Sequence, residues 1–279
     1  MTGSEHAAEW HCLRAVIRTA SDLALRHFRS GSAHWYKGPG QVVTAADLEV
    51  DRLLHEALIG AFPDDGWLSE ERPDDLTRLH RRRVWVVDPI DGTRAFTDGL
   101  PEFAISVALL VDDRPVLGVV CNPATAESFE AEQGRGAWLD GKPLQVSTRR
   151  ELAAARLLSS RTEMRRRRWA GLLPEVAFTD LSSLAYKLAL VAAGRFDGLV
   201  SLRASHDWDV AAAELLIAEA GGRLSAADGA PLVLNRPVPR HTGLAVAGTE
   251  ALHRALIARL DVARPTAPGG GSATADALT

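Results

Sequence analysis

Two aspartates separated by Pro89 and Ile90, Asp88 and Asp91, end the apolar run Val84-Trp85-Val86-Val87 and are followed at once by Gly92 and Thr93. A strand holds Asp88 rigid, and the turn after Pro89 brings Asp91 and the Ile90 carbonyl round to the same point. Hard oxygen ligands that converge in this way suit Mg2+. Asp-Pro-x-Asp-Gly is also an ordinary turn composition, so the pair alone does not decide between ligand and turn. Two further acidic stretches bear on the choice. Glu70 and Glu71 follow the short apolar run at Gly66-Trp67-Leu68, and Ser205-His206-Asp207-Trp208-Asp209 opens a helical pattern with another acid far downstream. Together they supply the anionic oxygens that a site with two or three Mg2+ ions requires.

Ser69-Glu70-Glu71, Asp88-Pro89-Ile90-Asp91-Gly92-Thr93, and Trp208-Asp209 followed by Glu219-Ala220-Gly221-Gly222 together resemble the inositol monophosphatase superfamily of Mg2+-dependent, Li+-sensitive phosphomonoesterases. The resemblance runs over about residues 5 to 262 and keeps the three motifs in the family's order. It implies a layered αβαβα sandwich of the inositol monophosphatase and fructose-1,6-bisphosphatase type, with the metal site where two halves of the chain meet. It also implies a homodimer.

Hydrolysis of a phosphate monoester needs a deprotonated water, neutralised equatorial oxygens and a stabilised leaving alkoxide, and Mg2+ ions about 3.5 to 4 Å apart serve all three. By resemblance, Glu70, Asp88 and the Ile90 carbonyl hold the first ion. Asp88, Asp91 and Asp209 hold the second, with Asp88 bridging, and Glu70 also reaches a third. Glu71 is read as supporting the site from behind or facing solvent. Acids crowded together raise one another's pKa until a metal is bound. Asp209 also has a simpler reading, since acids in a first helical turn complement the dipole. Its stripe continues through Ala213, Leu216 and Ala220, and buried acids need partners.

Gly92 and Thr93 precede a short helical turn whose backbone N–H groups can meet a phosphate oxygen. In the family a threonine at this place, oriented by an aspartate on an early helix, activates the nucleophilic water, and here that aspartate corresponds to Asp47. Thr44-Ala45-Ala46-Asp47 also reads as a capping box. Asp47 lies one turn before Val50 and Leu54 on the apolar stripe, which aims it inward.

Substrate signals are thinner. Inositol-preferring members place an acid a few residues before the Trp-Asp pair, where this chain has Leu202-Arg203-Ala204-Ser205-His206-Asp207. The run Ser182 to Gly194, with Lys187 inside it, is closest to the 3'(2'),5'-bisphosphate nucleotidase branch, and Trp35-Tyr36-Lys37 points the same way. A cation at Lys187 or Arg203 suits a second phosphate, although Lys187 also reads as a helix surface residue. His206 is the one histidine that stands to touch substrate. The expected reaction is 3'-phosphoadenosine 5'-phosphate to AMP and phosphate. Inositol 1-phosphate and histidinol phosphate are the alternatives, the latter because Asp91-Gly92-Thr93-Arg94 and Gly99-Leu100-Pro101 also fit that branch. A non-catalytic anion or metal binder is the remote one.

The elements that must position these residues follow from periodicity. Leu13, Val16, Ile17, Ala20, Leu23, Ala24 and Phe28 mark a first helix, and Val50, Leu53, Leu54, Ala57, Leu58 and Ala61 a second. Strands are expected near 83–88, 103–111, 115–121, 126–131 and 136–139, forming an antiparallel sheet in an α+β half over 1–146. An α/β half over 147–263 places strands near 157–160, 197–201 and 243–247 between helices near 181–193, 208–220 and 249–261. Residues 264–279, rich in glycine and proline, are expected to be a disordered tail.

A chain of 279 residues that is 46% hydrophobic can fill a large core. Its net charge of −4 gives no sign of a nucleic-acid binder, and Arg81–Arg83 and Arg165–Arg168 read as solvated faces or a lid. Cys12 and Cys121 imply no disulfide framework, and the nine histidines show no zinc spacing. With neither a signal segment nor a spanning run, a cytoplasmic protein off the membrane is expected. Trp85 and Phe103 read as core.

Overall fold

The computed structural model describes residues 5–38, 41–165, 169 and 171–262. The tail from Arg264 and the basic residues Arg166–Arg168 lie outside the described residues. Helix α1 (Ala7–Ser30) leads to a hairpin of β1 (His34–Gly38) and β2 (Gln41–Thr44), and α2 (Ala45–Ala61) follows without a break. Then come β3 (Gly66–Ser69), β4 (Arg83–Asp91), the short helix α3 (Thr93–Thr97), β5 (Ala104–Val111), β6 (Arg114–Asn122), β7 (Glu127–Glu132), β8 (Gly136–Leu139) and β9 (Lys142–Pro143). The strands from β3 onward form one seven-stranded sheet in chain order. A second sheet uses β10 (Arg156–Ser159), β11 (Ala177–Asp180), β12 (Gly198–His206), β13 (Arg223–Ala226) and β14 (Arg240–Ala247). Its helices are α4 (Arg161–Arg165), α5 (Leu184–Ala192), α6 (Asp207–Glu219) and α7 (Glu250–Val262). The order is β11-β10-β12-β14-β13, parallel through β11, β10 and β12 and antiparallel from β12 to β13.

The layering is a consequence of period-2 alternation in strands that are apolar on both faces. Trp85 and Val87 of β4, with Ile105, Val107 and Leu109 of β5, pack under α1 and α2. Their neighbours Val84, Val86, Ala104, Ala108 and Leu110 turn the other way, onto α5 and α6. The second sheet repeats the device: Leu158, Leu199, Leu244 and Val246 cover the other side of α5 and α6, while Leu157, Val200, Ala245 and Ala247 meet Leu252, Leu256 and Leu260 of α7. The result is helix, sheet, helix, sheet, helix. α6 enters this middle layer because it is lined with Ala211, Ala212 and Ala213, and because Gly118 on β6 lets it approach. A Cβ at Gly118 meets the Ala212 carbonyl oxygen at 2.7 Å.

The first sheet departs from the all-antiparallel expectation at one edge, since β3 runs parallel to β4. The chain between them crosses over through a 3-10 turn at Thr77–His80 and returns in the same direction. The hairpin and the short strands β3, β11 and β13 are additional to the expected elements, each too short to show a clear period. β12 runs past residue 201 to His206 because pairing with β14 resumes at Ala204 after an irregularity. α5 starts at Leu184 rather than 181 because Ser183 caps it, its hydroxyl accepting from Tyr186 N at 3.0 Å. Trp85 and Phe103 are fully buried.

Candidate active site

Asp88 and Asp91 are three residues apart, so in a regular strand they would point to opposite faces. They do not, because the β4–β5 register slips between them: Asp88 pairs with Ser106 and Asp91 with Ala104. Three steps on one strand match two on the other, which is a bulge, and bulges re-aim side chains. Carboxylate oxygens of Asp88, Asp91 and Asp209 therefore lie within 4.8 Å of one another.

Each of the three is held differently. Asp88 is 1% exposed, its Oδ1 accepts from Ile90 N at 3.1 Å, and its Oδ2 is buried with no hydrogen-bond partner. Asp91 Oδ2 accepts from Ser183 Oγ at 2.6 Å and from Ala185 N at 2.5 Å. Asp209, on the first turn of α6, takes the His206 N–H on Oδ2 at 2.6 Å and is partly exposed. Burial pushes all three carboxyls above the usual range, most strongly Asp88 and Asp209. The neighbouring acids add to it, with Glu70 acting on Asp88 and Asp91 on Asp209.

Glu70 stands at the end of β3, its N–H on the Val87 carbonyl at 3.3 Å. Its side chain is exposed at the rim, yet loss of surrounding water, then Glu71, Asp91 and Asp47, push it up to about 7. Glu71 is not a surface residue: its carboxylate is 3% exposed and pairs with Lys37 of β1. Trp35 and Tyr36 beside Lys37 are exposed. Behind β3, Asp51 of α2 accepts from Ser69 Oγ at 2.6 Å and Arg72 Nε at 2.5 Å, which pins the strand end.

Asp47 caps α2 with one carboxylate oxygen and turns the other toward Thr93. Thr44 donates its N–H and hydroxyl to Oδ2 at 2.8 and 2.5 Å, the capping box of α2. The other oxygen, Oδ1, faces the Thr93 hydroxyl at 3.3 Å. That hydroxyl also lies 3.0 Å from the Ile90 carbonyl, the backbone oxygen expected to bind metal. Burial raises Asp47 to about 6 against the pull of Thr44. Gly92 caps α3 at φ +92°, a left-handed turn that glycine takes without strain.

Of the residues expected to meet substrate, Arg203 is exposed on β12 and His206 is half-exposed, stacked on Trp208 at 4.5 Å. Lys187 differs from both. It is 3% exposed, so it is no helix surface residue; burial lowers its ammonium to about 8 against Asp91 and Glu163, which favour the charge. Arg83 pairs with Asp65 and Glu9, while Arg81 and Arg82 face solvent. Ser183 escaped the sequence reading of the site, although a serine directly before Leu184-Ala185 is a helix-start signal.

An acidic cluster with a buried, unpaired Asp88 oxygen fits a divalent cation, because hard carboxylate oxygens are its preferred donors and an uncompensated buried charge is costly. With a threonine–aspartate pair beside it, in a layered αβαβα sandwich, this is the arrangement of a metal-dependent phosphatase. Residues 9–263 match the inositol monophosphatase family, and the chain belongs to it. It is 38% identical over 228 residues to an inositol-1-monophosphatase of Rhizobium meliloti, covering 79% of this chain and 83% of that one. A histidinol-phosphatase of Chlorobaculum parvum is 33% identical over 74% of this chain and 81% of its own length. The crystal structure of the extragenic suppressor protein suhB from Bartonella henselae superposes with a TM-score of 0.82 at 27% identity, over 92% of this chain and 100% of that one. Among the described residues no helix is long and apolar enough to cross a membrane.

Proposed function

We propose that Asp88, Asp91 and Asp209, with Glu70 and the Ile90 carbonyl, hold Mg2+ and that this site hydrolyses a small phosphomonoester. The observation that carries this reading is the buried, unpartnered Oδ2 of Asp88 beside two further acids. When bound, Mg2+ supplies charge neutralisation for the phosphate and the leaving oxygen and eases ionisation of a water. The chain's own groups do the rest. Asp47 Oδ1, 3.3 Å from the Thr93 hydroxyl, can take its proton, so that the Thr93 oxygen can accept one from the attacking water. Backbone N–H groups of Gly92 and Thr93 orient the phosphate.

For the substrate we propose a molecule carrying a second anionic group, with 3'-phosphoadenosine 5'-phosphate as the candidate. Arg203, exposed three residues before His206, supports it, since an arginine there attracts an anion and disfavours a neutral polyol. Inositol 1-phosphate is the second reading, favoured by the likeness to the Rhizobium meliloti inositol-1-monophosphatase. Comparing kcat/KM on the bisphosphate, inositol 1-phosphate and histidinol phosphate tests the choice. The bisphosphate is expected to be fastest, and a higher value on either of the others overturns the substrate assignment. Release of phosphate from none of them with Mg2+ present would sink the enzymatic reading.

A further inference from the structure

Asp91 is oriented from one side. Its Oδ2 takes Ser183 Oγ and Ala185 N, both at the start of α5, so the direction of its other oxygen depends on where α5 begins. Ser183 N donates to the Glu102 carbonyl at 3.3 Å, and Ser182 N donates to Glu102 Oε2 at 3.1 Å. The same Oε2 lies 3.4 Å from Arg161 Nη2, and Arg161 Nε donates to Asp180 Oδ2 at 2.7 Å. Gly92 closes the group from the other side: a Cβ there meets the Glu102 carbonyl oxygen at 2.6 Å and Ser183 Cβ at 3.2 Å. Glu102 is thus wedged between the Asp91–Gly92 turn and the start of α5, and Arg161 ties it to the end of β11.

We propose that Glu102 is a positioning residue for the metal site: through Ser182 and Ser183 it sets where α5 begins, and so how Asp91 presents its other oxygen. The inference rests on reading Asp91 as a metal ligand. A displaced α5 start leaves Ser183 and Ala185 unable to hold Oδ2 in the same direction, and loss of a group that orients a ligand costs about 10- to 100-fold in metal affinity. Glu102 Oε2 accepts from Ser182 N and Arg161 Nη2, which an amide oxygen also does.

The test is calorimetric titration of the metal-free protein with Mn2+. Glu102→Ala is expected to weaken binding by about 10- to 100-fold, while Glu102→Gln stays within about threefold of wild type. At saturating Mn2+ the KM for p-nitrophenyl phosphate should be unchanged in both. Should the alanine variant fail to fold, Arg161→Met, which removes the pairs to Glu102 and Asp180 together, is expected to weaken Mn2+ by about 10-fold. Wild-type affinity in whichever of the two variants folds, or equal losses in Glu102→Ala and Glu102→Gln, overturns the proposal. Asp91→Asn separates the two levels: if it too leaves Mn2+ affinity intact, the ligand assignment falls with the inference. If only Glu102→Ala is silent, the ligand assignment stands and the positioning role does not.

Discussion

The Thr93 hydroxyl oxygen lies 3.3 Å from Asp47 Oδ1, while the second oxygen of that carboxylate is taken by the N–H and hydroxyl of Thr44. One acid therefore caps a helix and faces the site with its two oxygens. Asp209 stands in the same third position of its helix, with one oxygen on the N–H of the capping residue. In both cases the cap fixes the carboxylate, which would otherwise swing, and a fixed acid in a site loses no orientation when the substrate arrives.

Because Thr93 has no useful basicity alone, Asp47→Asn and Thr93→Ala should each lower kcat by about 100-fold or more, with KM nearly unchanged. The double variant should be little worse than either single one. Steady-state kinetics at saturating Mg2+ decide it, and multiplicative losses would mean that the two side chains act separately. Thr44→Val, which removes a cap donor, should cost about 0.5 to 2 kcal/mol of stability in thermal unfolding.

Asp88→Asn and Asp209→Asn remove charge from the cluster itself. Each should reduce turnover by far more than tenfold, a barrier change well above about 1.4 kcal/mol. Folded variants that retain a tenth of wild-type rate or more would take the metal role away from these residues. Li+ inhibition that does not compete with substrate is expected of the wild type, and purely competitive inhibition would count against a loosely held second ion.

Stability of the metal-free protein should fall as pH rises. Glu70 and Asp47 are raised to about 7 and about 6 in the folded state, above their ordinary values. A carboxyl with a raised folded pKa favours folding when protonated, so its contribution is complete below the unfolded value and is lost as pH climbs through the folded one. The thermal midpoint in chelator should therefore drop between about pH 4 and pH 8 through these groups. Added Mg2+ should raise the midpoint most at the alkaline end, where no protons compete for the oxygens. A midpoint shift by Mg2+ that is larger at pH 5 than at pH 8 would contradict the cluster.

Arg203→Met should reduce kcat/KM on 3'-phosphoadenosine 5'-phosphate by about one to two decades, the value of a charge-assisted contact, and spare AMP. Lys187→Met tests a different place. A buried ammonium facing Asp91 and Glu163 serves the acids rather than the solvent, so its loss should depress every substrate alike and alter Mg2+ affinity. Loss confined to the bisphosphate would restore Lys187 to direct substrate contact.

The sequence by itself determined the family of this protein and most of its layers. Acids at Glu70, Asp88, Asp91 and Asp209 are legible because hard-cation sites need many carboxylates, and alternation such as Trp85 against Val86 is legible because strand side chains have a period of two. Tertiary structure decided which of these groups meet. Three-residue spacing places Asp88 and Asp91 on opposite faces of a regular strand, and only pairing with β5, through its bulge, turns both inward. Lys187 looked as much like surface as site until α5 was buried between two sheets. Glu102 and Arg161 carry no motif, and Ser183 shows only as a helix start. Their roles arise from the approach of segments some 60 to 90 residues apart in the chain, a long-range contact that local pattern does not encode because it depends on how the layers stack.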